Sequence, residues 1–82
     1  MIRVLFFASV RDRLGVAEES LAETPATVAA LRDTLAARGA PWDEVFGADQ
    51  KVLAAVNQTM ATDDAPISDG DEIGFFPPVT GG

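Results

Sequence analysis

Nothing in this chain can staple it covalently or through zinc. Among its 82 residues there is no cysteine and no histidine. A domain of this size has a single modest core with little to spare, so apolar packing alone has to hold the fold. The 48% of apolar residues make that feasible and argue against a disordered chain. The same two absences remove disulfides, zinc centres and thiol or imidazole catalysis from the side-chain chemistry available.

The apolar residues fall into short runs. Ile2–Val10 (IRVLFFASV) is β-branched and aromatic, which predicts a strand buried on much of both faces. Alternation puts Ile2, Val4 and Phe6 on one face and Leu5 and Phe7 on the other. Arg11–Gly15 reads as a turn and Val16–Glu23 as a weaker second strand, together a hairpin. Thr27 is placed to cap a helix over Val28–Arg38, in which Val28, Leu31 and Leu35 form an apolar stripe while Arg32 and Asp33 face water. Arg38 and Gly39 close it.

Pro41–Phe46 (PWDEVF) predicts a short helical turn whose Trp42, Val45 and Phe46 fill the edge of the core. A strand over Lys51–Asn57, a short return over Gln58–Thr62, an irregular stretch to a turn at Ser68, Asp69 and Gly70, and a last strand over Glu72–Phe76 complete the chain. This order, without repeat or linker, predicts an α+β class.

Thirteen acidic against six basic residues give a net charge of −7. That balance disfavours nucleic acid and anionic membranes as partners and would steer a basic partner surface, although it would also serve solubility alone. No apolar run approaches a membrane span, and MIRVLFF lacks a secretory pattern, so a soluble, cytoplasmic protein is expected. Asp63, Asp64, Asp69, Asp71 and Glu72 lack the ligand order of a calcium loop and are assigned to turns and solvent, leaving no metal site.

The ending DGDEIGFFPPVTGG carries the functional signal. Glycine makes up about 7% of ordinary sequence, so a terminal pair arises by chance in roughly one chain in two hundred. Ile73, Phe75, Phe76 and Val79 are expected to anchor the tail, and Pro77 with Pro78 forces a stiff, extended exit. A tip without Cβ atoms fits a narrow channel, where its backbone approaches a reacting group closely. The useful group is then the carboxylate of Gly82. Attack on the α-phosphate of ATP would make it an acyl-adenylate, and a sulfur nucleophile could displace the adenylate. With no cysteine in the chain, that sulfur comes from elsewhere.

Together with VLFFASVRDRLG near the start and LAAVNQT in the middle, FFPPVTGG after DGDE resembles the small subunits of molybdopterin synthase, ubiquitin-like sulfur carriers ending in Gly-Gly. The resemblance runs from Ile2 to Gly82 and is least distinctive over Ala40–Asp49. It implies a β-grasp fold, a mixed sheet crossed by one main helix with the first and last strands side by side at its centre. It divides the chain into a β-grasp domain over 1–76 and an extended tail over 77–82.

The resemblance also implies the chemistry. An E1-like enzyme, the nucleotide-binding partner, adenylates Gly82 with ATP, and a sulfurtransferase donor converts it to a thiocarboxylate. Gly81 helps thread the tail into the large subunit, where sulfur passes to cyclic pyranopterin monophosphate. No cofactor is bound by the carrier, its catalytic side chains lie in the large subunit, and two copies of each subunit form a heterotetramer.

Strand alternation that buries Ile73 and Phe75 turns Gly74 and Phe76 outward, beside Phe7 and bordered by Met60. Such an apolar patch is either covered by a loop of its own chain or docks a partner, and the resemblance points to a partner. Arg11 matches the family pattern of FFA, two residues and arginine, with Asp12 where relatives often carry glutamate. The partner-binding residues so implied are Phe7, Arg11, Met60, Phe76, Pro77, Pro78, Val79 and Thr80. Alternatives are a carrier for thiamine, cysteine or tRNA thiolation, a ubiquitin-like modifier joined to lysines through Gly82, and a plain interaction domain. Thiamine-pathway relatives generally lack FFPPV.

Overall fold

The computed structural model describes residues 1–47 and 51–78. Its elements are β1 (Ile2–Phe6), α1 (Ala8–Leu14), β2 (Glu18–Leu21), α2 (Val28–Ala36), α3 (Trp42–Phe46), β3 (Leu53–Val56), β4 (Thr59–Ala61) and β5 (Glu72–Phe76). One five-stranded sheet runs β2-β1-β5-β3-β4. The central pair β1 and β5 is parallel, with Val4 beside Ile73 and Phe6 beside Phe75, and the other pairings are antiparallel. Parallel neighbours need a crossover, and the chain between β1 and β5 supplies it with α2 among its elements. This is the β-grasp arrangement, a mixed sheet in an α+β fold.

Alternation along the strands builds the inner face. Ile2, Val4, Phe6, Ile73, Phe75 and Ala54 are all buried there, and Val28, Leu31 and Leu35 of α2 join the same core. Thr27 caps α2 by accepting a hydrogen bond from the Ala30 N–H at 3.2 Å. Phe75 sits at the aromatic centre, with the Phe46 ring edge-on at 4.9 Å and the Phe6 ring stacked at 6.4 Å between centroids. Trp42 meets Phe6 edge-on at 5.6 Å, which fits its expected place at the core edge.

Three expectations need correction. The first strand ends at Phe6, and Ala8–Leu14 is a helix where a strand end and a turn were expected. Val10 and Leu14, four residues apart, pack against the core, and Gly15 closes the helix at φ 75° with its N–H donating to the Arg11 carbonyl at 2.8 Å. β1 and β2 are therefore antiparallel neighbours joined through a helix, not by a tight turn. The second correction concerns Arg32, which does not simply face water. Its guanidinium lies 5.4 Å from the Phe75 ring centre and donates to Asp63 at 2.9 Å and to the Val52 carbonyl. Third, α2 ends at Ala36, two residues before Arg38. Arg38 instead grips Glu19 with two hydrogen bonds of 2.7 and 2.8 Å and stacks 4.5 Å over Trp42.

The return from β3 to β4 is a two-residue turn in which Asn57 and Gln58 both have positive φ, 50° and 69°. Asn57 is tied into β5, its amide donating to Asp71 at 3.0 Å and its side-chain oxygen accepting from the Glu72 N–H at 3.0 Å. Among the described residues, no helix is long and apolar enough to cross a membrane.

Candidate functional site

The residues facing away from the helices form a second, shallower surface on the same strands. Leu5 lies beside Gly74, Gly74 beside Ala55, and Ala55 beside Met60. One row further along, Phe76 lies beside Leu53. Phe7 follows β1 immediately, and its N–H donates to the Phe75 carbonyl at 3.0 Å, which extends the ladder by one bond before the chain turns into α1. Ala8 makes that turn at φ 51°, a left-handed conformation that non-glycine residues adopt at a cost of about 1–2 kcal/mol.

The Phe7 ring lies over Gly74. A Cβ added at Gly74 would stand 2.9 Å from the Phe7 Cε2, so glycine is what allows the ring to seat there. Even so, Phe7 remains 46% exposed and Met60 61%. Among the described residues, no loop closes over this face. Leu5, Ala55, Gly74 and Phe76 line a shallow depression together with Phe7.

Of the residues expected to contact a partner, Phe7, Phe76 and Met60 share this face, Pro77 is half-buried and Pro78 exposed where the chain leaves β5. Arg11 is exposed on α1, at the end of the sheet where β1 and β5 both finish. Val79, Thr80, Gly81 and Gly82 lie outside the described residues. Leu5, Leu53, Ala55 and Gly74 also belong to this face, beyond the partner-binding residues expected from the sequence. Strand alternation already puts Leu5 and Gly74 on the Phe7 face, whereas Leu53 and Ala55 require the pairing of β3 with β5.

Charge is distributed unevenly around this face. Arg3, outward on β1, bridges Glu18 at 2.9 Å and Glu72 at 3.4 Å, and Glu18 above all raises its pKa further. Asp71, at the start of β5, is held below the usual carboxylate range, first by the Ser68 N–H at 2.8 Å and then by the Asn57 amide. No group of three or more acidic residues among those described is arranged to hold a metal ion. The structure thus offers an exposed, largely apolar patch beside the root of the tail.

The sequence pattern of the ThiS family matches residues 4–82. The molybdopterin synthase sulfur carrier subunit of Escherichia coli (strain K12) is 51% identical over 82 residues, the whole of both chains. Its namesake from Haemophilus influenzae is 44% identical over the same full lengths. Among solved structures, SAMP1 from Haloferax volcanii superposes with a TM-score of 0.74 at 27% identity, covering 99% of this chain and 98% of that one. The chain belongs to the ThiS family and, within it, groups with the molybdopterin synthase sulfur carrier subunits.

Proposed function

We propose that this chain carries sulfur for molybdopterin synthesis on the carboxyl group of Gly82. The carboxylate attacks the α-phosphate of ATP in an E1-like enzyme and pyrophosphate leaves. A sulfur nucleophile from a sulfurtransferase donor then displaces AMP, leaving a thiocarboxylate. The tail, residues 77–82, delivers that sulfur into the active site of the large synthase subunit and to cyclic pyranopterin monophosphate. Catalytic side chains belong to the large subunit, two copies of each subunit assemble, and the reaction takes place in the cytoplasm.

The observation that carries this reading is the position of β5. It is paired on both sides, parallel to β1 and antiparallel to β3, so the tail root is held at the sheet centre and not on a fraying edge. Phe7, Met60 and Phe76 would dock on the large subunit and on the activating enzyme in turn, with Arg11 at the margin. Pro77, Pro78, Val79, Thr80 and Gly81 would thread the channel. Full-length identity of 51% to a carrier of the molybdopterin pathway favours that pathway over thiamine, cysteine or tRNA thiolation.

Deleting Gly81 and Gly82 tests the reading directly. The shortened chain should still bind the large subunit while molybdopterin formation in a reconstituted synthase is lost. Full activity of the shortened chain would contradict it. A second reading, a ubiquitin-like modifier, is favoured by the likeness to SAMP1, a small archaeal modifier protein. Glycyl conjugates on lysines of other proteins, seen by peptide mass analysis of cell extract, would support it.

A further inference from the structure

Resting on the reading above, an adenylated Gly82 is an electrophile, and the amines of this chain decide what else can capture it. Its six basic side chains are five arginines and one lysine, Lys51. Guanidinium groups keep their protons and do not attack acyl carbon. Two amines remain, the N-terminal ammonium and Lys51.

They stand at opposite ends of the sheet. Met1 precedes β1, and its ammonium is engaged by Asp69 and by the Thr24 hydroxyl. β1 and β5 are parallel, so Met1 lies at the end remote from the tail root. Lys51 is exposed and precedes Leu53 by two residues. Leu53 pairs with Phe76 on an antiparallel strand, so the position of Lys51 lies level with that of Pro78. The one lysine therefore flanks the root of the tail.

Pro77 and Pro78 have no N–H with which to extend the ladder and favour an extended path over a reversal. Only four residues follow Pro78. To reach its own Lys51 a chain would have to reverse directly after two prolines, a reversal that attack by a second copy's Lys51 does not require.

We propose that Lys51 accepts the activated glycyl group of a second copy, joining carriers through a Gly82–Lys51 isopeptide linkage when sulfur is short. The deprotonated Lys51 amine bonds to the Gly82 acyl carbon, the bond from that carbon to the adenylate oxygen breaks, AMP leaves with the electron pair, and the nitrogen gives its second proton to solvent. The acceptor keeps its own Gly82, so the step can repeat.

The experiment incubates the full chain with the E1-like enzyme, ATP and magnesium, without a sulfur donor, and follows ATP–pyrophosphate exchange and intact mass together. The expected result is exchange accompanied by a species of two chain masses less one water, whose tryptic digest contains a branched peptide with residues 52–82 of one copy on Lys51 of the other. Lys51→Arg should abolish that species while exchange continues, and the variant should still form thiocarboxylate once sulfur is supplied. Exchange with no linked species, with linkage at Met1, or with a single chain lighter by one water would overturn the proposal and leave the carrier reading intact. Absence of exchange, from an enzyme that turns over a control carrier, would overturn both.

Discussion

The two faces of one sheet, built from alternate residues of the same strands, differ sharply in exposure. On the inner face Phe6 and Phe75 are at most 2% exposed, and on the outer face Phe7 and Met60 are 46% and 61% exposed. Both faces carry aromatic and aliphatic side chains, although the outer one also bears the Arg3 ion pairs with Glu18 and Glu72. The difference lies in what covers them: α2 and α3 close the inner face, and no described element closes the outer one. Inner-face substitutions should therefore be read out in stability, and outer-face substitutions in association.

The strongest way to break this contrast is Phe75→Ala. It removes a ring that touches Phe6, Phe46 and the Arg32 guanidinium, and should cost about 3–5 kcal/mol. That is a large part of the roughly 5–15 kcal/mol typical of a domain, so urea denaturation should find the variant mostly unfolded or close to it. A midpoint near that of the parent chain would contradict the assignment of the inner face.

Phe7→Ala is the matching outer-face change. Stability should fall by only about 1 kcal/mol because the ring is half exposed. Affinity for the large subunit, measured by titration calorimetry, should fall about tenfold or more. Equal effects on both quantities, or an effect on stability alone, would remove the distinction between the faces.

Asp71→Asn sharpens the contrast at the margin of the sheet, through pH. Asp71 is held below the ordinary carboxylate range by Ser68 first and Asn57 second. A carboxylate lowered in the folded state stabilises the fold above its unfolded-state pKa of about 3.9, and that contribution disappears as pH falls through the lower folded value. The variant should therefore melt below the parent at neutral pH, with the gap closing as the pH drops beneath about 4. A gap that is constant with pH would assign the loss to geometry alone. The smallest effect is expected from Gly74→Ala, under about 1 kcal/mol, because the new Cβ meets only the far edge of the Phe7 ring. The ring must shift, which Phe7 aromatic NMR signals would report.

Which features could be read from the sequence follows the same division. The inner face announces itself by period: β5 lies over Glu72–Phe76 as expected, and Thr27, Val28, Leu31 and Leu35 take the roles their spacing suggests. α1 was missed because FFASV continues the strand-like composition of β1, and what ends the strand is tertiary. The Phe7 ring seats on Gly74, far away in sequence, and the chain turns at Ala8. A local clue existed in the Val10–Leu14 spacing followed by Gly15. Arg32 escaped for the same reason, since its partners Phe75, Asp63 and Val52 all come from later elements. The outer face could be half read, from the alternation of Leu5 with Phe7 and Gly74 with Phe76. Its width depends on the β3–β5 register, which no single strand encodes.

The central proposal is that the chain carries sulfur on the carboxyl group of Gly82. Its most direct test is the intact and C-terminal peptide mass of the chain after incubation with the E1-like enzyme, ATP and a sulfur source. The account predicts exchange of one oxygen for sulfur at Gly82, reversed when the large subunit and precursor are added. An ordinary carboxylate at Gly82, from an enzyme that is active on a control carrier, would contradict it.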